Sequence, residues 1–246
     1  MSMRLEPLPA AFAETRDALH RLAVYVVAPA QRRVNGEIIL RATPGGFSTY
    51  PFGDGRVIGV DGAELVVAGA RHPIGSLNDC ARLAGIAPDV GQQEQFDVPP
   101  HGDLDEPLRV DAAAARALGA WYAFATDLLD ELRATAGPGE DASVVRIWPE
   151  HFDAAVDAGD GKERRRATYG ASPGDGHHPE PYVYASPWAG RIDAFFDDPG
   201  FRGAARGYAT LAAAAEPRAV AIAFLHEARD HIRQADIDVG AGGEAV

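Results

Sequence analysis

The alternation of apolar and polar positions divides the chain into helical and extended stretches before any chemistry is considered. Between Pro9 and Arg33, Leu19, Leu22, Ala23, Val26, Val27 and Ala30 recur at intervals of three and four, which predicts a helix with one apolar face. Pro29 is expected to bend or stop its last turn, and Asn35-Gly36 to close it. His20 falls beside the apolar face and reads as a packed boundary residue. From Glu37 the period shortens. EIILRAT (37–43), RVIGVDG (56–62) and AELVVAGARH (63–72) read as strands, the last two joined at Asp61-Gly62, while 44–55 reads as turns.

Ser76, with Asp79 three residues on, resembles a capping box opening the helix SLNDCARLAG, which Gly85 closes. Leu77, Cys80, Ala81 and Ala84 share its apolar face, so Cys80 is expected in the core. Residues 87–109 have neither period and are rich in proline, glycine and acids. They read as a linker, a surface crossover or a lid, with Phe96 and Val98 as anchors. Asp111 can cap the next helix, where Leu118, Trp121, Tyr122, Ala125, Leu128, Leu129 and Leu132 give the clearest amphipathic pattern in the chain. A strand SVVRIW (143–148) follows. Beyond Trp188, residues 190–205 read as a short helical turn and loop, 206–215 as a helix, and 217–234 as another.

Together these elements predict an α+β fold, an antiparallel sheet covered by helices. They also suggest one globular domain of two loosely repeated helix–strands–helix halves, 1–86 and 110–235, joined by the linker 87–109, with a disordered tail at 236–246. Ala42-Thr43-Pro44-Gly45 and Ala171-Ser172-Pro173-Gly174 are the local echo of that repeat.

Composition narrows the partners. A net charge of −13, with Lys162–Arg166 the one basic cluster, argues against nucleic acid, and that cluster reads as a solvated hairpin tip. No apolar run approaches the roughly 20 residues that span a bilayer, and the N-terminus has no signal-peptide pattern. The expectation is a cytoplasmic bacterial protein that binds no membrane and is compatible with a homodimer. One cysteine, Cys80, excludes an intrachain disulfide.

Chemistry-bearing residues crowd into 145–188. Trp148, Asp153, Asp175, Glu180, Tyr182 and Tyr184 combine carboxylates with aromatic walls and predict a small-molecule pocket. His151, His177 and His178 offer imidazoles to those acids, so a metal-dependent hydrolase is the alternative, with a divalent metal less favoured than a carboxylate-centred site. In a third reading the motif is structural and orders a hairpin within an interaction module. Pro173-Gly174 predicts a type II turn, after which Asp175 accepts hydrogen bonds from the loop backbone. His226 and His231 are five residues apart, which excludes the four-residue spacing of a zinc-protease helix.

The runs WPEHFD (148–153), YGASPGD (169–175) and PEPYVYASPW (179–188), with ILRATPGGF (39–47), resemble a bacterial family of domains of unknown function. The resemblance implies that Phe152, Asp153, Gly174, Asp175, Pro179, Glu180, Pro181 and Tyr182 are its recurring positions. It places a site and names no activity, and it shifts weight from the histidines to Asp153, Asp175 and Glu180.

Overall fold

The structure is a computed structural model that describes residues 4–95, 98–160, 165–190 and 193–241. Phe96, and Lys162 to Arg164 of the basic cluster, lie outside the described residues. The chain is mixed helix and strand with antiparallel pairing throughout, the α+β class its periodicities predict. It divides into two compact units. An N-terminal unit comprises Leu8–Ala123 and Arg146–Ala154; a C-terminal unit comprises Met1–Pro7, Phe124–Val145 and Ala155–Val246.

In the N-terminal unit, α1 (Phe12–Leu22) runs through a π-helical turn (Ala23–Val27) into α2 (Ala28–Asn35). Pro29 was expected to end or bend this helix, yet the helix continues to Asn35. Proline has no N–H to give the carbonyl four residues earlier. Here that carbonyl, Tyr25 O, accepts instead from the Asp89 N–H at 2.9 Å, and the wider π turn lies just upstream. The stretch 87–109 supplies that donor. It holds a short helix, α4 (Gln92–Gln95), and is pinned where the Tyr25 hydroxyl donates to Pro99 O at 2.5 Å and the Leu108 N–H to Gly75 O at 3.1 Å.

The strands of this unit are β1 (Leu40–Thr43), β2 (Gly46–Thr49), β3 (Ile58–Asp61), β4 (Glu64–Val67), β5 (Ala70–Pro73) and β7 (Arg146–Trp148). Their order is β7-β1-β2-β3-β4-β5. Two differ from the sequence reading. GFST, assigned to turns, is a fully buried strand, because Phe47 and Thr49 reach the core despite the glycines before them. AELVVAGARH is a hairpin of two strands, turned at Ala68 (φ 49°) and Gly69 (φ 85°). The capping box of α3 (Leu77–Ala84) is present in full: the Ser76 hydroxyl accepts from the Asp79 N–H at 3.1 Å, and Asp79 Oδ2 accepts from the Ser76 N–H at 3.2 Å. Cys80 is buried in that helix's apolar face.

Helix α5 (Ala112–Ala134) starts in one unit and ends in the other, as does β8 (Asp153–Gly159). The C-terminal unit adds β6 (Asp141–Ala142), β9 (Ala167–Ser172), β10 (Tyr182–Pro187), β11 (Ala204–Gly207), α6 (Tyr208–Ala212) and α7 (Pro217–Ala241). Its strand order is β11-β10-β9-β8, with β6 beside β8. The segment read as helical turn and loop therefore ends in a strand, β11, which pairs with β10 from Tyr182↔Gly207 to Ala185↔Ala204. Helix α7 extends as far as Ala241, and residues 242–246 lie outside the described residues.

In β9 and β10, Tyr184 pairs with Gly170, and Ala185 with Tyr169. Side chains alternate between the faces of a strand. Tyr169, Ala171, Val183 and Ala185 therefore share one face and are buried; α7 packs against β10 and β11. Tyr184, Thr168 and Ser186 share the other face and are partly exposed. Among the described residues no helix is long and apolar enough to cross a membrane.

Candidate functional site

The chemistry-bearing stretch is split between the two units. Its first part, WPEHFD, closes the N-terminal unit. After β7 the chain turns so that the Phe152 N–H donates to Trp148 O at 2.6 Å. This holds Phe152 at a φ of 56°, which for a bulky residue costs about 1–3 kcal/mol and persists only when its surroundings impose it. Those surroundings are explicit. The Tyr122 hydroxyl donates to Phe152 O at 2.7 Å, His20 stacks on the Phe152 ring at 4.9 Å, and Phe47 and Tyr122 meet that ring edge-on. His20 Nε2 donates to Pro149 O at 2.9 Å. Burial lowers the His20 pKa to about 4, so the imidazole is neutral at pH 7. Burial, and next to it the Asp153 carboxylate, push the Tyr122 hydroxyl well above its ordinary value, which keeps it a donor. Asp153 is itself only 4% exposed. Asp153 thus lies in the interior of this unit, Trp148 is partly exposed, and His151 is exposed.

The second part gathers in the C-terminal unit. Gly174 has a φ of 103°, a value glycine permits, its N–H donates to the Ser172 hydroxyl at 3.1 Å, and the Asp175 N–H donates to His178 O at 2.7 Å. Asp175 then collects three donors: the N–H of His177 (2.7 Å), the N–H of His178 (2.8 Å) and the Tyr182 hydroxyl (2.6 Å). Burial alone would raise its pKa. The Tyr182 hydroxyl and the two amides outweigh burial and hold the carboxyl below its usual range.

Beside this turn, His178 Nε2 meets Asp198 Oδ1 at 3.0 Å, and the Asp198 carboxylate also accepts from the Gly200 N–H at 2.8 Å. Asp198 is 9% exposed. The His178 ring lies 4.6 Å from that of Tyr182. Tyr182, Tyr184 and Phe201 then form a cluster with ring centroids 5.7–6.2 Å apart. The Tyr184 ring rests on Gly170, where a Cβ would come within 2.4 Å of it.

Of the six ligand candidates, Asp175, Tyr182 and Tyr184 come together. Glu180 is exposed in the same turn, while Trp148 and Asp153 lie in the other unit. Of the three imidazoles, His178 joins the cluster, His177 is exposed in the turn, and His151 is in the other unit. Among the described residues no three His, Cys, Asp or Glu side chains are grouped as a metal ion needs. Asp198 and Phe201 were missed. Their run D-P-G-F carries a turn signal, but no local pattern says that the turn folds back onto His178.

No family model, no curated protein and no solved structure matches the chain.

Proposed function

We propose that the chain binds a small molecule on the aromatic shelf of Tyr182, Tyr184 and Phe201, with His178 as its polar anchor. The observation that supports this reading is the His178–Asp198 contact at 3.0 Å beside a partly exposed aromatic cluster. A buried carboxylate accepting the Nε2 proton fixes the imidazole tautomer and leaves Nδ1 as the ring's acceptor. Nδ1 can then accept a ligand hydrogen bond or take up a proton, while the rings supply apolar area at low cost in side-chain entropy.

The test is thermal melting of the full chain against nucleosides, free amino acids and monosaccharides. A member of the panel should raise the melting temperature of the wild type, and Tyr184→Ala should abolish that rise while remaining folded. No shift across the panel, or the same shift in the variant, would overturn the reading.

One observation favours the structural reading of the motif: three donors converge on Asp175 within the turn itself. Under that reading Asp175→Ala lowers stability, and the shelf binds nothing.

A further inference from the structure

The face of the C-terminal unit that carries Tyr169 holds a different feature. A cleft of about 600 Å³ is walled by Leu132, Pro138, Tyr169 and Ile232 and carries arginines along its polar side. Its size falls within the roughly 300–1,000 Å³ of small-molecule sites.

Among the described residues the ion pairs of the cleft leave one arginine without a carboxylate partner. Arg165 pairs with Asp160 at 3.2 Å. Arg233 pairs with Glu140, whose Oε1 accepts Nη2 at 2.7 Å and Nε at 2.8 Å, while its Oε2 accepts from the Gly137 N–H at 2.8 Å. The third guanidinium, Arg229, is partly buried and makes no ion pair among the described residues. It donates only to the carbonyl and hydroxyl of Thr135, at 3.2 and 3.1 Å, and its Nε is buried with no acceptor. Among the described residues no carboxylate forms an ion pair with it, and the nearby Glu140 carboxylate is engaged by Arg233. A partly desolvated cation without a counter-ion is costly.

An independent observation comes from the strand beneath. Tyr169 is only 2% exposed, lines the cleft, and its hydroxyl makes no hydrogen bond among the described residues. Buried tyrosine hydroxyls ordinarily find a partner. Arg229, Glu140 and Arg233 line the same cleft. Burial raises its pKa, which keeps it a neutral donor.

We propose that this cleft binds a small organic monocarboxylate, the carboxylate seated against the Arg229 guanidinium and the Tyr169 hydroxyl, and the hydrocarbon part against Leu132, Pro138 and Ile232. One guanidinium without an ion pair matches one negative charge. A phosphate monoester would bring about −1.5 to −2 at pH 7 and leave charge uncompensated. The carboxylate supplies the acceptors that Arg229 and Tyr169 lack, through charge-assisted hydrogen bonds. This site uses none of the aromatic-shelf residues and stands or falls separately from them.

Calorimetric titration of the full chain with benzoate and hexanoate tests the assignment, with benzamide and inorganic phosphate as comparisons. At least one carboxylate should bind saturably, more tightly than benzamide or phosphate. Arg229→Gln should abolish that binding, and Tyr169→Phe should weaken it roughly tenfold. Tyr169→Phe removes one unpartnered oxygen and should melt no lower than the wild type, so it remains informative if Arg229→Gln fails to fold. Absence of saturable binding by both carboxylates, equal binding of benzamide, tighter binding of phosphate, or wild-type affinity in Tyr169→Phe would each overturn the proposal.

Discussion

Two buried tyrosines show how differently one residue type is used. Tyr122 donates to Phe152 O and thereby holds a backbone conformation that the Phe152 side chain alone would resist. Tyr169 donates to nothing among the described residues. Removing each hydroxyl should therefore have opposite consequences. Tyr122→Phe leaves a buried carbonyl without its donor and is expected to cost about 1–3 kcal/mol in chemical denaturation; a loss near zero would mean that this carbonyl is held another way. The residue scale is also where the sequence was least legible. The density of acids, imidazoles and aromatics in 148–188 was plain, and it did mark Asp175, Tyr182 and Tyr184, which lie within nine positions of one another. It could not show that Phe152, His20 and Tyr122, far apart in the chain, make the first motif a packing device. Nor could it pair His178 with Asp198, or Tyr169 with Arg229, because those neighbours are brought together only by tertiary folding.

At the scale of elements, the β9–β10 hairpin assigns each face its work. Gly170 lets the Tyr184 ring lie flat against the strand. Gly170→Ala should displace that ring, lower stability by about 1–3 kcal/mol through overpacking, and weaken ligands that use the shelf while sparing carboxylate binding at Arg229. A variant that melts and binds as the wild type would show that the ring has another place to rest. Long elements were the readable ones: α5 and α7 extend over enough turns for their apolar spacing to be unmistakable, and α3 announced itself by Ser76 and Asp79. The four-residue strands β2 and β11 were hidden, and β4 and β5 read as one strand. Each is too short to show a period, and each lies beside glycine or proline, which usually mark turns. The paired turn sequences at 42–45 and 171–174 both end strands, but Gly174 adopts a positive φ and Gly45 does not, so similar letters give different turns.

For the whole molecule, titration sets an acid limit. His20 is neutral in the folded chain, with a pKa of about 4 against 6.5 when unconstrained. Between those values the unfolded chain binds a proton that the folded chain does not, so stability falls as pH drops from about 6.5 toward 4. The His20 contribution to that loss is on the order of 3 kcal/mol. Asp175 has a depressed pKa, and its contribution is present above the unfolded carboxyl value and lost as pH falls through the folded one, in a lower window. Denaturant midpoints measured from pH 7 to 4 should therefore fall, and His20→Gln should flatten the slope above pH 4.5. An unchanged slope in that variant would assign the acid sensitivity elsewhere.

The π turn at Ala23–Val27 also constrains how this chain can vary. A π turn carries an extra residue relative to the α-helix around it, so it acts as a phase shift between the face presented by α1 and that presented by α2. Because the wider turn absorbs that residue, loss of one residue there would restore uniform α-helical winding and leave α2 close to its present orientation. An added residue, with no further turn to absorb it, would rotate everything downstream by roughly 100°, and Gln31, now fully enclosed and donating to Ile39 O at 2.6 Å, would leave its place in the core. This segment should therefore tolerate a deletion more readily than an insertion.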